Sequence, residues 1–286
     1  MGKRNIEANP LTDLCGDYLA RIEDALKREL DLYSWSEFHA PLRYACDGGK
    51  RIRPLILVLS VEAIAPGRTN GDAYMAASAI ELLHTESIIH DDIIDEENTR
   101  RGKPSFHIKY GYNSSILTAD FVLGVILNIG SKLKNSRVIN ELSNAATRMS
   151  EGEMMEIRLN KAPEITEDDY IKVIDHKTAS LFEASAKIGA ILGGGNEEQI
   201  HSMATFGRLL GVAYQIHDDL IDWNDEDKLF NMLVKQNNNS NEFVDRMEKL
   251  YQSYAVRAKN ELCKVASGND AVSHLEHLTD LASVQI

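Results

Sequence analysis

One heptapeptide occurs twice in this chain, as IHDDIID at residues 89–95 and as IHDDLID at residues 216–222. Each copy ends a long apolar segment whose hydrophobic residues recur at helical spacing. On a helix, Asp91 and Asp95 share one face because they are four residues apart, and the second copy repeats this spacing. The chain is therefore predicted to contain two long helices that each end in a cluster of carboxylates.

The repeated carboxylates carry a cost that a bound cation would offset. Like charges at this helical spacing repel each other by about 0.2–0.5 kcal/mol per pair. Oxygen ligands without cysteine favour a hard ion such as Mg²⁺, which commonly binds carboxylates together with substrate phosphates. The alternative is two solvated acidic helix ends, but the matching Ile and His before the aspartates of both copies weigh against it. His90 and His217 themselves are assigned no chemistry.

Basic side chains suited to a phosphate group occur in two clusters, DGGKRIRP at 47–54 and NTRRGKP at 98–104. Their members are Lys50, Arg51, Arg53, Arg100, Arg101 and Lys103. Guanidinium groups bind phosphate through two parallel hydrogen bonds, and a lysine adds a point charge. Neither cluster is a P-loop, because GxxxxGK[ST] is absent. Alone, each cluster is more often a solvated patch, but beside the acidic motifs we predict phosphate binding.

The rest of the chain is predicted to be helical. Only six prolines occur, helical periodicity is frequent, and strand-like alternation is hard to find. Thr166 and Asp169 have the spacing of a helix-capping pair, and the glycines at 193–195 can end that helix. The predicted helices cover about residues 72–97, 114–133, 138–159, 167–190, 197–223, 241–265 and 271–281. We expect one all-α domain that extends over residues 1–286.

Composition narrows the partners and the compartment. The net charge of −13 argues against nucleic acid as a partner. Three scattered cysteines indicate a reducing compartment, and the N-terminus lacks an apolar signal core. The most apolar run, 116–129, is interrupted by Thr118, Asp120 and Asn128, so no transmembrane segment is expected. These features predict a soluble cytoplasmic protein.

Four segments, in this order, resemble one protein family. They are DGGKRIRP, ELLHTESIIHDDIIDEENTRRGKPSFHIKYG, HKTASLF and GVAYQIHDDLID. Together they are similar to the trans-isoprenyl diphosphate synthases, also called the polyprenyl synthetase family, from about residue 40 to 223. The stretch NTRRGKPSFHIKYG is most similar to the archaeal geranylgeranyl and longer-chain polyprenyl branches.

The resemblance implies an all-α barrel of antiparallel helices around a deep central cavity, and a homodimer. The two aspartate motifs would face each other at its mouth and hold two or three Mg²⁺ ions per site. The reaction implied is head-to-tail condensation of isopentenyl diphosphate with an allylic diphosphate (dimethylallyl, geranyl or farnesyl). The expected product is an all-trans prenyl diphosphate of C20 or longer.

Residue roles follow from the resemblance, position by position. The metal site is assigned to Asp91, Asp95, Asp218 and Asp222. The catalytic set comprises Asp91, Asp92, Asp95, Asp218 and Asp219 together with Lys177. The isopentenyl diphosphate pocket is assigned to Lys50, Arg53, His84 and Arg101, and Arg51 of the same cluster is counted as substrate-binding. Contacts to the allylic diphosphate are assigned to Arg100, Lys177, Thr178 and Gln215. Glu153 and Glu156 receive no role, because the family often has Gln and Asp there.

Product length is expected to depend on residues just before the first motif. Leu83 and Ser87 lie on the helix face below Asp91, and Ser87 is too small to block a growing chain. Glu86 stands where short-chain enzymes of the family often have an aromatic ring. Tyr74 and Phe121 are further candidates for the cavity floor.

The chain departs from the family after the second motif. The family usually has a glycine–lysine loop there, whereas this chain reads DWNDEDKLFNMLVKQNNNSN. Lys228 and Lys235 are the basic residues at hand to replace it. Two alternatives stay open: a non-catalytic or partner-dependent subunit of a heteromeric synthase, and a terpene cyclase. The two equal aspartate motifs and Lys50–Arg53 count against the cyclase.

Overall fold

The computed structural model describes residues 10–221, 228–237, 239–265 and 268–281. Helices dominate this part of the chain. They are α1 (Pro10–Asp31), α2 (His39–Ala45), α3 (Ile52–Ile64), α4 (Gly71–Ile94), α5 (Phe106–Tyr110), α6 (Tyr112–Leu133), α7 (Ser136–Leu159), α8 (Glu167–Ile174), α9 (Ser180–Leu192), α10 (Glu197–Ile221), α11 (Leu229–Gln236), α12 (Ser240–Leu262) and α13 (Asp270–Leu281). A two-stranded antiparallel hairpin, β1 (Thr99–Arg100) with β2 (Lys103–Pro104), lies between α4 and α5.

The helices predicted from periodicity are present, with ends within about three residues of the expected positions where the structure describes them. Thr166 caps α8 as expected: its hydroxyl accepts from the Asp169 N–H, and the Asp169 carboxylate accepts from the Thr166 N–H. The predicted end of α10 at residue 223 lies outside the described residues. The all-α prediction is thereby confirmed.

Other elements did not show in the sequence pattern. The helix α3 is buried on nearly every side, so its sequence is apolar all round and has no helical stripe. The short helices α2, α5 and α11 and the hairpin are held by contacts that no local pattern specifies. Between α8 and α9 the chain forms a π-helical turn, Asp175–Ala179, within one predicted helix.

The two helices that carry the acidic motifs occupy central positions in the barrel. Helix α4 packs against α1, α3, α6, α7 and α9, and α10 packs against α9 and α12. Ala76, Ile80 and Leu82 of α4 and Phe206 of α10 are fully buried in the main core. This packing fixes the direction of both helices, so their motif-bearing ends are placed by the core and not by the charged residues themselves.

Helix α6 contains the apolar run at 116–129 that stands out in the sequence. By length and composition it is apolar enough to cross a membrane, with a mean hydropathy of 1.6 over its 18-residue window. About 44% of that window is buried, and α6 packs against α4. Ile116, Leu117 and Leu127 on its other face are more than half exposed. Thr118, one of the polar interruptions in this run, is buried in the core.

Candidate active site

Two adjoining cavities open at the ends of the motif-bearing helices. The deeper one, of about 920 Å³, is lined by α4, α7, α9 and α10 and by Arg53 of α3. The second, of about 560 Å³, lies at the mouth, and Phe230 of α11 forms part of its wall. Residues of both cavities are Asp91, Ile94, Arg100, Lys177, Thr178 and Gln215. Five of these six were predicted as site residues, so the structure brings the separate motifs together.

The aspartates of the first motif have two different environments. Asp91 and Asp95 line the cavities, whereas the carboxylate of Asp92 is buried and accepts from Nε of Arg100 at 2.8 Å and from Nη2 at 2.6 Å. Asp92 therefore holds Arg100 at the junction of the cavities. Asp91 and Asp95 stand at the C-terminal end of α4, where the helix dipole disfavours carboxylates.

Lys177 is surrounded by carboxylates. Its Nζ lies 2.5 Å from Glu153, 2.6 Å from Glu156 and 3.9 Å from Asp91. Burial alone would lower the pKa of Lys177, but the Asp91, Glu156 and Glu153 carboxylates raise it above its ordinary value. Lys177 is therefore an ion-paired residue of the site and not a plain surface lysine.

The sequence reasoning missed the roles of Glu153 and Glu156. Their three-residue spacing on α7 places them on one helix face, and that signal was available. Burial raises the pKa of Asp91, as do the nearby Glu153, Asp95 and Glu156, against the lowering effect of Lys177. Negative charge at this point is thus in excess of what one ammonium group neutralises.

The second motif is held by a buried hydrogen-bond chain. Asp219 accepts from the Tyr170 hydroxyl at 2.7 Å and from the Gln215 amide at 3.0 Å. Thr178 donates in turn to Gln215 at 2.9 Å. Burial raises the pKa of Asp219 to about 6, and the two hydrogen bonds partly oppose this rise. Asp218 lines the deeper cavity, and Asp222 lies outside the described residues.

Arginines and a histidine form a cationic corner of the deeper cavity. Nη1 of Arg53 lies 3.3 Å from Nε2 of His84, and its guanidinium carbon lies 4.6 Å over the Phe182 ring. Nε of Arg53 is buried and has no hydrogen-bond partner among the described residues. Burial and the neighbouring arginines hold the pKa of His84 well below its ordinary value. Arg101 completes the corner, with its Nη1 bonded to the Gly48 carbonyl at 2.8 Å.

Arg51, which the sequence assigned to substrate binding, lies outside both cavity walls. Its side chain is buried and donates to Glu81 at 2.5 Å, to Glu23 at 2.6 Å and to the Cys46 carbonyl at 2.5 Å. These partners occupy the guanidinium, so Arg51 joins α1, α3 and α4 and does not line a cavity. Lys50 is exposed and also stands outside both cavity walls.

Three of the predicted chain-length residues line the deeper cavity, namely Leu83, Glu86 and Ser87. Glu86 turns toward His90, with Oε1 3.4 Å from Nδ1, and burial raises its pKa. Phe121 does not line this cavity; its ring stacks on Phe38 at 4.6 Å between centroids. The structure therefore places Phe121 outside the wall of this cavity.

Tyr74 does not line the deeper cavity either, because it is buried in the main core. Another part of the cavity wall comes from α7, and includes Met149, Ser150 and Met154. The sequence motifs did not predict that these residues line the cavity.

Lys228 lines the mouth cavity beside Asp219, whose pKa it lowers. Lys235, seven residues later, is exposed and outside this wall. Phe230 and Asn231, two and three residues after Lys228, are buried. The Phe230 ring packs against the rings of Tyr170 and Phe243. Of the two basic residues in this segment, the structure thus places Lys228 at the site.

The donor set fits a hard divalent cation. Asp91, Asp95, Glu153 and Glu156 offer only oxygen ligands, and Lys177 is their single described cation. Among the described residues, no group of three such side chains is already gathered into an ion-binding geometry. Water and substrate phosphate oxygens commonly complete such a site around a Mg²⁺ ion.

Comparison with known proteins agrees with this geometry. A family model described as polyprenyl synthetase matches residues 36–241. Geranylgeranyl diphosphate synthase of Methanosarcina mazei is 34% identical over 218 residues, which are 74% of this chain and 67% of that protein. Octaprenyl diphosphate synthase of Escherichia coli is 39% identical over 178 residues, which are 62% of this chain and 54% of that protein. The matched part thus spans between about half and two thirds of these relatives.

Solved structures with the same fold cover nearly the whole chain. Geranylgeranyl pyrophosphate synthetase from Pyrococcus horikoshii superposes with a TM-score of 0.86 and 25% identity, over 94% of this chain and 97% of that chain. A geranyltranstransferase from Methanosarcina mazei gives a TM-score of 0.77 and 31% identity, over 92% and 95%.

The chain shares the all-α fold of these solved synthases, the isoprenoid synthase fold. The chain belongs to the polyprenyl synthetase family. The resemblance seen in the motifs is confirmed, and the relatives above are named as prenyl diphosphate synthases, which are prenyltransferases.

Proposed function

We propose that this chain condenses isopentenyl diphosphate head-to-tail with an allylic diphosphate to give a longer all-trans prenyl diphosphate. The observation that supports this most strongly is the arrangement of the deeper cavity. Asp91 and Asp218 line one part of its wall, and Arg53, His84 and Arg101 line another. Two diphosphates require two such polar regions, one with carboxylates for bound cations and one with arginines.

Each wall has a defined task in this proposal. Mg²⁺, held by Asp91, Asp95 and Asp218, would offset the negative charge that develops on the departing diphosphate. Lys177, Thr178 and Gln215 orient the allylic diphosphate at the junction of the two cavities. No side-chain nucleophile is needed, because the double bond of isopentenyl diphosphate attacks the allylic carbon. Proton loss then completes the new chain.

The cationic corner is suited to the diphosphate of isopentenyl diphosphate. The free Nε of Arg53 is a buried donor that an anionic oxygen would satisfy. Burial and the neighbouring arginines lower the pKa of His84, which favours its neutral form in this corner. Arg101 adds a second guanidinium that backbone bonding keeps in place.

Product length follows from the wall below Asp91. We expect Ser87→Phe to shorten the main product by one or more isoprene units, because the ring would fill space that the growing chain uses. Ser253→Phe, at an exposed position of α12, is the control and should leave product length unchanged. Mass spectrometry of the products checks this. An unchanged length in Ser87→Phe would show that the chain grows in another direction.

Lys228 is proposed to replace the basic residue of the missing glycine–lysine loop. We expect Lys228→Met to raise the KM of the allylic substrate about ten-fold, since a charged hydrogen bond contributes about 1.5–3 kcal/mol. Lys235→Met is the matched control, because that lysine is exposed outside the mouth cavity. Steady-state kinetics of both variants decide the matter. Equal effects of the two substitutions would contradict the role of Lys228.

A homodimer is proposed from the exposed face of α6. Ile116, Leu117 and Leu127 form an apolar face on this helix, and Leu123 lines the deeper cavity beside them. Exposed apolar faces of this kind mark association surfaces. A second copy of the chain would cover the face and close that side of the cavity. We further propose a cytoplasmic location, with no nucleic-acid partner.

Diphosphate release tests the proposed function and separates it from its alternatives. The purified chain is incubated with Mg²⁺ and with each substrate alone or both together. Release that requires both substrates supports condensation. Release from the allylic substrate alone indicates a cyclase or a hydrolase. No release under any condition would overturn the proposal in favour of a partner-dependent subunit.

A further inference from the structure

Residues of the π-helical turn Asp175–Ala179 line two separate cavities. Lys177 and Thr178 line the substrate cavity. Asp175 and His176 line an open groove of about 810 Å³ that shares no residue with it. A π turn is a local irregularity in a helix, so the direction of its side chains depends on what holds the turn.

An ion-pair network holds the first residue of the turn. The buried Asp175 carboxylate accepts from Nη2 of Arg148 at 3.1 Å and from Nε of Arg208 at 2.5 Å. Nη2 of Arg148 also donates to the Asp175 carbonyl at 3.1 Å, and its Nη1 donates to Glu183 at 2.6 Å. Backbone and side chain of Asp175 are thus tied to α7 through Arg148 and to α10 through Arg208.

Two glycines bring the same helices against the rest of the turn. A Cβ atom on Gly152 of α7 would lie 2.4 Å from the Lys177 nitrogen. One on Gly211 of α10 would lie 2.6 Å from Cα of Ala179. Side chains cannot occupy such positions, so α7 and α10 approach the turn as closely as backbone allows. The ion pairs at Asp175 add a polar anchor at the first residue of the turn.

We propose that Asp175, Arg148 and Arg208 form a positioning clamp that sets where Lys177 and Thr178 meet the allylic diphosphate. The identity of that ligand rests on the proposed function. Among the described residues that line the two site cavities, none belongs to the clamp. Its effect on the reaction therefore passes through the π turn.

The clamp has a selective consequence. Arg53 and His84, proposed to bind isopentenyl diphosphate, stand on α3 and α4, and Arg53 pairs with His84 and not with a clamp residue. Loosening the clamp should weaken binding of the allylic ligand and leave binding of isopentenyl diphosphate unchanged. A general loss of folding would weaken both ligands together, so the ratio of the two affinities separates positioning from simple structural support.

The test compares Arg148→Met and Arg208→Met with the control Lys187→Met. Lys187 pairs with Glu141 at 2.8 Å and joins α7 to α9 without touching the turn. Binding of farnesyl thiodiphosphate, an allylic analogue that does not ionise readily, and of isopentenyl diphosphate is measured by calorimetry with Mg²⁺. Melting temperatures report folding, and kcat and KM are measured alongside.

Arg148→Met should weaken binding of the allylic analogue about ten-fold or more, since small misplacements of binding groups have large effects. Arg208→Met should act in the same direction but less, because its side chain is 56% exposed. Arg148→Lys should recover part of the loss, as it keeps the charge. Affinity for isopentenyl diphosphate should stay within about two-fold in every variant, and Lys187→Met should match the wild type in both ligands.

Unchanged allylic affinity in both arginine variants, or equal weakening of both ligands, would overturn the clamp. If Arg148→Met does not fold, Arg208→Met decides by the same criteria. A wild-type protein that binds both ligands but forms no product contradicts the proposed function while the binding data still judge the clamp. A wild type that binds no allylic analogue overturns both.

Discussion

Asp91→Asn should lower the rate of condensation about a thousand-fold, the largest effect on activity that we expect from one substitution. Asp91 lines both cavities and stands among carboxylates at the C-terminal end of its helix. Removing its charge takes away one proposed ligand of the Mg²⁺ ion that would stabilise the departing diphosphate. The rate is measured with saturating isopentenyl and allylic diphosphates.

Folding should not suffer from the same substitution. Burial and neighbouring carboxylates raise the pKa of Asp91, so the metal-free fold disfavours its charge. The melting temperature of metal-free Asp91→Asn should therefore equal or exceed that of the wild type. Asp72→Asn, an exposed aspartate in the first turn of α4, is the matched control and should keep full activity. A stable Asp91→Asn protein with wild-type turnover would refute the metal-site proposal.

Arg51→Met should lower the free energy of unfolding by about 3–5 kcal/mol, because it leaves the Glu81 carboxylate buried without its cation. Both side chains of this pair are about 4% exposed, and Arg51 also bonds to Glu23 and to the Cys46 carbonyl. Chemical denaturation measures the change. The KM of isopentenyl diphosphate should stay near the wild-type value in the protein that remains folded.

Two variants separate this effect from ordinary surface charge. Arg51→Met combined with Glu81→Met should recover most of the loss, since no unpaired charge then remains buried. Arg43→Met removes the exposed pair with Asp31 and should cost about 1 kcal/mol or less. A raised KM with unchanged stability in Arg51→Met would instead support the original substrate-binding assignment.

The sequence predicted the long helices and many of the residues that line the two cavities, because both carry local signals. Apolar periodicity marks α4, α7 and α10, and the capping pair Thr166–Asp169 marks the start of α8. The repeated acidic motif directly indicates which aspartates are candidate site residues. Asp91, Lys177 and Gln215 are far apart in sequence, yet all line the junction of the cavities.

The rest depends on contacts between distant segments. Arg51 and Arg53 are two residues apart in one basic cluster. The neighbouring sequence does not indicate that Arg51 bonds to Glu81 while Arg53 bonds to His84. The pairing of Glu153 and Glu156 with Lys177 likewise needs the packing of α7 against the π turn. Phe121 is large enough to block a cavity, but its ring stacks on Phe38, a contact between segments that are distant in sequence.

Product sizing is the most direct test of the central claim that this chain itself elongates a prenyl diphosphate. The purified protein is incubated with Mg²⁺, isopentenyl diphosphate and dimethylallyl, geranyl or farnesyl diphosphate in turn, and the products are sized by mass spectrometry. We predict a series of all-trans products ending at one length of C20 or longer, which disappears when Mg²⁺ is chelated. Absence of any elongated product from all three starters would contradict the claim.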